Sequence, residues 1–239
     1  ATVLIAISEA LLGRFDHAWG AADEAESLLT TPQRPLDVSG VHFARGVIHL
    51  ERGAVADAVP DLAAAHDLCV GIGVVMVAQW SQPRLGEALA RCGRAAEARE
   101  HLAAAMQQAT VRDAPLWRAW TLTGLCHLEL AEGRPDRAAA HADELAALAD
   151  ERGYPHAGAV ADRLAAQASL AMGDLPGAEA RARSAAARAA AAGARPELAR
   201  AELQLSAVLE LTGRHDEAGA TAGRARAIAE STGLFLPAR

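Results

Sequence analysis

The sequence predicts an all-α chain built from six repeated helix pairs, and three observations carry that expectation. Alanine, the best helix former and a poor strand former, makes up about a quarter of the 239 residues. Six glycines, Gly13, Gly53, Gly93, Gly133, Gly173 and Gly213, stand 40 residues apart. The small residues around each glycine repeat with it, as internal repeats require.

The periodic glycine sits in a recurring context: LGRFDHA, RGAVADA, CGRAAEA, EGRPDRA, MGDLPGA and TGRHDEA. Five residues past it stands alanine in every repeat: Ala18, Ala58, Ala98, Ala138, Ala178 and Ala218. Seven residues before it the chain is always small: Ala6, Gly46, Gly86, Cys126, Ala166 and Ser206. A second set of glycines, Gly73, Gly153, Gly193 and Gly233, falls 20 residues before, with prolines just after it at Pro35, Pro115, Pro155, Pro196 and Pro237.

Each repeat therefore reads as helix A, a tight glycine turn, helix B and a Gly/Pro-marked turn. Helix A ends at the periodic glycine. Helix B runs from about three to about nineteen residues past it, with Asp16, Asp136 and Asp216 placed to cap it. The two small columns mark where helix backbones approach closely. A large side chain there would force them apart, at about 1–3 kcal/mol. The register places residue 1 inside a helix A, and the closing GLFLPAR matches the opening of a seventh repeat, so residues 233–239 read as its truncated start. The chain lacks an initiator Met and reads as an excised piece, and neither end looks like the polar cap of a repeat array. Flanking protein is expected to cover both ends of a single array over 1–239.

These residues resemble a known family. The glycine, an apolar residue two later (Phe15, Val55, Leu175) and the alanine five later are similar to the second half of the tetratricopeptide (TPR) repeat. The small residue seven before matches that repeat's small position in helix A. The usual TPR period is 34; the period of 40 here resembles the MalT-like TPR superhelix of large LuxR-type bacterial regulators. HEAT and armadillo repeats share the longer period, but the GR-x-D-x-A turn favours TPR. The resemblance implies a right-handed α-solenoid, with helix A lining a concave surface. It also implies a parent with a nucleotide-binding switch upstream and a helix-turn-helix downstream.

Composition excludes several functions. Lysine and asparagine are absent, which removes the P-loop, Schiff-base lysines and N-glycosylation acceptors. A net charge of -7 argues against a nucleic-acid surface. Cys69, Cys92 and Cys126 are odd in number and far apart, which reads as reduced cytosolic thiols. The longest apolar run, about 68–78, is half a membrane span, and the N-terminus carries Glu9 and no basic region, so neither membrane segment nor signal peptide is expected.

Catalytic motifs are missing. GIGVVM lacks the third glycine of a dinucleotide loop and follows a helix. His42 and His49 share a helix face, but a metal would need further ligands. Arg181, Arg183 and Arg188 read as a solvated face of helix B, or as a patch for an acidic partner. No enzyme, cofactor or metal is expected.

Binding is the better expectation. The groove-facing columns that the TPR resemblance implies hold Trp80, Trp120 and Arg200; Phe43, Thr123 and Arg163; Glu87, His127 and Gln167; and Glu51 and Arg91. An apolar floor of Phe43, Trp80 and Trp120 with a few polar groups suits a ligand pocket. The same aromatics could instead fill gaps between alanine-rich helices. Two functions stand side by side. One is a sensing arm that binds a small-molecule inducer or an inhibitory protein. The other is a free-standing scaffold that docks a peptide or protein.

Overall fold

The computed structural model describes residues 1–29, 34–73 and 75–236, without the side chains of 75–77. Among the described residues there are twelve α-helices and no strand: α1 (Thr2–Leu11), α2 (Phe15–Ser27), α3 (Pro35–Arg52), α4 (Val55–Gly71), α5 (Val75–Arg91), α6 (Ala95–Val111), α7 (Pro115–Ala131), α8 (Pro135–Arg152), α9 (Pro155–Ala171), α10 (Leu175–Ala191), α11 (Arg195–Leu211) and α12 (His215–Thr232). Odd-numbered helices are helix A of each repeat and even-numbered ones helix B. The chain forms two compact units, Ala1–Gly124 and Leu125–Arg239. Pro237, the last of the expected turn prolines, lies outside the described residues, as does the end of GLFLPAR.

The glycine turns are built as the spacing required. Gly53 ends α3 in the left-handed region (φ 88°), Ala54 N–H donates to His49 O (2.9 Å), and the next helix starts two residues on. That is the Schellman arrangement, and a Cβ would strain it. The other five periodic glycines share it, at φ from 70° to 81°. Among the described residues of the second turn column, Asp113 adopts φ 47° where Gly73, Gly153, Gly193 and Gly233 stand in other repeats.

The capping expectation fails by two residues. Helix B begins two residues past the glycine, so its N-cap is Arg14, Arg134 or Arg214, and none of these makes a side-chain cap bond. Asp16, Asp136 and Asp216 lie inside the first turn, where they favour the helix dipole through charge alone. The side-chain cap among these helices is Asp174, which accepts from Gly177 N–H at 3.0 Å.

The two small columns meet as expected. All six alanines five past the glycine are fully buried. Ser206 Oγ donates to Ala218 O at 2.9 Å and Cys126 Sγ to Ala138 O at 3.5 Å, so the two columns touch directly. Burial drives the Cys126 thiol pKa well above its usual value. A Cβ on Gly46 would lie 2.6 Å from Leu62 Cγ, and one on Gly86 2.7 Å from Leu102 Cγ. Leu102 also packs on Gly124, where a Cβ would lie 2.5 Å from its Cδ2.

Each unit is layered. In the first, α1 packs on α3 and α3 on α5, with α2, α4 and α6 each packed on the preceding helix A. In the second, α9 packs on α11, and α8, α10 and α12 flank them. The helix-A layer is where the candidate residues sit.

Candidate functional site

In the first unit, three successive A helices bring Phe43 (α3), Trp80 (α5) and Trp120 (α7) into one cluster. The 40-residue register sets Trp80 and Trp120 at the same place in neighbouring helices, and Phe43 fills the third corner. Ring centroids lie 6.3 Å apart for Phe43–Trp80, 6.3 Å for Phe43–Trp120 and 6.5 Å for Trp80–Trp120. Interplanar angles are 71°, 52° and 71°, so edges meet faces, the arrangement that ring quadrupoles favour. Phe43 is buried, whereas both indoles keep part of their surface open. Phe43 thus belongs to the core, and the tryptophans keep accessible surface beside it.

One turn along α5 lies a buried ionic cluster that the sequence columns named only in part. Arg84 donates Nη1 to Glu87 (2.8 Å) and Nη2 to Glu51. Arg91 donates to the other Glu87 oxygen at 3.3 Å. Arg84, Glu51 and Glu87 are 4–6% exposed. Burial opposes the Arg84 charge, but Glu87 and Glu51 outweigh it and hold its pKa above the usual arginine value. Two acids face two guanidiniums, so the floor beside the aromatics is closely balanced in charge. Thr123 is also buried, and its hydroxyl is spent on Ala119 O of its own helix at 3.0 Å.

The remaining candidates lie in the second unit. Arg163 is buried, with Nε donating to Glu197 Oε1 at 2.5 Å, and Arg200 lies 3.5 Å from Glu197 Oε2. Glu197 is 1% exposed. The Arg163 and Arg200 charges thus face a buried internal acid. His127 and Gln167 are half-buried on α7 and α9. Sequence reading missed Arg84 and Glu197. A visible signal existed for each: a charge set among the apolar residues of a helix that must pack.

The other sequence candidates resolve into internal contacts. Arg181 pairs with Asp143 (2.7 Å) and Asp162 (3.2 Å), Arg188 with Asp150 (2.7 Å) and Asp162 (3.1 Å), and Arg183 with Glu179 (2.9 Å) and Glu217 (2.7 Å). Asp162 is buried and also accepts from Ser184 Oγ at 2.6 Å. Gly158 gives Arg188 its path, since a Cβ there would lie 2.5 Å from Nη1. Hydrogen bonds from Arg183 and Arg214 hold Glu179 and Glu217 below the usual carboxylate range. The arginines that could have formed an acidic-partner patch are thereby paired within the unit. His42 and His49 both address Asp61, at 2.8 and 3.8 Å, and His49 meets the Trp19 ring edge-on at 4.9 Å. Among the described residues no group of three or more His, Cys, Asp or Glu side chains is placed to hold a metal ion. No described helix is long and apolar enough to cross a membrane.

The fold is that of a TPR-like helical repeat. It is similar to a Rap protein complexed with competence and sporulation factor (TM-score 0.76, 16% identity), covering 92% of this chain and 60% of that one. It is similar to the apo form of RapI (TM-score 0.55, 12% identity; 96% and 64% covered) and to aspartyl phosphate phosphatase F from Bacillus subtilis (TM-score 0.63, 11% identity; 100% and 72% covered). The chain thus spans less than two thirds of the two Rap structures named first. At these identities the likeness is one of fold, and it agrees with the expected all-α, TPR-like repeat class. No protein-family model and no curated protein matches the chain.

Proposed function

We propose that this chain is a non-catalytic binding module, the partner-sensing arm of a larger cytosolic regulator of the MalT-like, LuxR-type kind. The observation that carries the reading is the Phe43–Trp80–Trp120 cluster on three successive A helices, with both indoles partly open. A surface of rigid aromatics over a charge-balanced floor is suited to docking a peptide or protein segment, because large rings bury area at little entropic cost. Of the expected site residues, we assign Phe43, Trp80, Glu87, Trp120 and Thr123 to this face; His127, Arg163, Gln167 and Arg200 are candidates within the second unit by itself.

The peptide-type partner is favoured over a small polar inducer. Arg163 and Arg200 face Glu197, and Arg84 and Arg91 face Glu87, so an anionic ligand would have to compete with buried internal acids for them. The named Rap structure, complexed with competence and sporulation factor, is a precedent for a similar fold in complex with a partner. Partner binding would act on the parent by favouring one of its states over another.

Sequencing the reading frame on both sides tests the regulator reading. A P-loop motif upstream and a helix-turn-helix downstream are expected. Stop codons close to both ends would overturn the sensing-arm reading and leave a free-standing scaffold that docks through the same face.

A further inference from the structure

Successive B helices in the second unit are cross-linked by ion pairs. Arg181 of α10 reaches back to Asp143 of α8 (2.7 Å). Arg183 and Arg214 join α10 to α12 through Glu217 (2.7 Å) and Glu179 (2.6 Å). In α6 of the first unit, His101 holds the place of Arg181, eight residues past the periodic glycine. The group it meets on the preceding B helix is a second imidazole. The rings of His66 (α4) and His101 have centroids 5.5 Å apart and stand nearly perpendicular, at 86°. Two imidazoles repel once protonated, so the pair alone does not bind α4 to α6 as an arginine and an acid would.

The geometry suits a shared cation. An ion about 2.0–2.1 Å from one nitrogen of each ring, at a tetrahedral angle, sets the centroids about 5 Å apart. Histidine χ2 is a broad torsion, so turning one ring brings its nitrogen to the ion without moving a helix. The tautomer is set as well. His66 Nδ1 lies 3.3 Å from Ala78 O, which only accepts, so the proton sits on Nδ1 and Nε2 carries the lone pair. A backbone carbonyl holding one ring nitrogen is the usual company of a metal-bound histidine. Burial, and then His66, keeps His101 neutral to lower pH than an ordinary histidine, and the neutral ring is the one that binds metal. Glu100, Asp67 and Glu97 all act on His101 through their charge, a negative field that favours a cation. Both rings are half-buried.

We propose that His66 and His101 form an exchangeable site for one imidazole-preferring divalent transition ion, zinc being the probe, which cross-links α4 and α6. Two protein nitrogens are fewer than a structural zinc site uses, and no group of three His, Cys, Asp or Glu is placed around an ion among the described residues. Water therefore holds the remaining positions, and the ion exchanges with solution. The bound ion ties the second and third repeats together where the second unit uses arginine. The site lies on B helices and does not depend on the aromatic face, which lies on A helices.

The test is zinc uptake by the whole chain, stripped of metal and kept folded, read by competition with a chromophoric chelator. Native conditions keep the histidines and cysteines of the unfolded chain out of the reading. One zinc per chain is expected, and magnesium, which prefers oxygen ligands, should not compete. His66→Gln or His101→Gln should weaken uptake by about tenfold or more, with helical content unchanged. His101→Cys, which supplies another zinc ligand, should restore it. His42→Gln, beside Asp61, and Cys92→Ser, which removes the exposed thiol, should leave uptake as in the wild-type chain. No uptake by the wild-type chain, or uptake that survives the loss of His66 and His101, overturns the site. So does uptake that is lost with His42 or Cys92 instead.

Discussion

The two units use one repeat differently. Thirteen residues before the periodic glycine, the first unit places Trp80 and Trp120, and the second places Val160 and Arg200. The first closes its helix-A layer with rings and the four-residue ionic cluster around Arg84. The second closes it with Arg163, Glu197 and Arg200, and with the Asp162 cluster on the side facing α10. The turns and small columns are common to both, because they set how helices pack. The columns left free by packing are where the units diverge, and a binding face can arise there without altering the fold.

The largest expected effect separates the two ionic clusters. Arg84→Ala removes a shared cation from two buried carboxylates and should cost about 3–5 kcal/mol in denaturant unfolding. Arg163→Ala should cost less, about 1.5–3 kcal/mol, because Glu197 keeps Arg200. A larger loss for Arg163→Ala would reverse the ranking of the two units.

Packing comes next. Gly46→Ala would push a Cβ to 2.6 Å from Leu62 Cγ, and should destabilise by about 1–3 kcal/mol. In the second unit the equivalent residue is already Ala166, fully buried, and Ala166→Gly should cost only about 1 kcal/mol, through backbone freedom. Equal effects would mean that the two units do not share the close approach.

Turn chemistry gives a smaller, signed effect. Asp113 occupies a left-handed turn that glycine fills at Gly153 and Gly193. Asp113→Gly should raise stability by about 0.5–1 kcal/mol, and Gly153→Asp should lower it by a similar amount. Thermal melts of the two variants shifting in the same direction would contradict the common turn geometry.

Smallest is a pH effect confined to the first unit. Burial, and then the neighbouring His66, lowers the pKa of His101, whose ring lies 5.5 Å from that of His66. The unfolded chain therefore takes up this proton at higher pH than the folded one. Its contribution is full above the ordinary histidine value of about 6.5 and is lost as pH falls below it. His101→Gln should flatten the Tm–pH curve in that range, and an unchanged slope would assign it to other groups.

Sequence and structure agree most where one residue type is forced. The periodic glycines and the two small columns were legible because their φ angles and helix contacts admit few substitutes. The aromatic cluster was legible because the period of 40 aligned Trp80 with Trp120. The caps were misread by two residues, since Asp16 and its equivalents suit a first turn as well as a cap. Arg84 and Glu197 were missed because buried charges run against hydropathy and depend on partners 33 and 34 residues away.

The central claim is that the Trp80–Trp120 face is where a partner docks. Site-specific photo-cross-linking in the producing cell tests it most directly, with benzoylphenylalanine at position 120 and, as control, at exposed Gln107 on α6. The account expects one discrete adduct from position 120 that is absent from position 107 and is suppressed by Trp80→Ala. No adduct from position 120, or the same adducts from both positions, would contradict it.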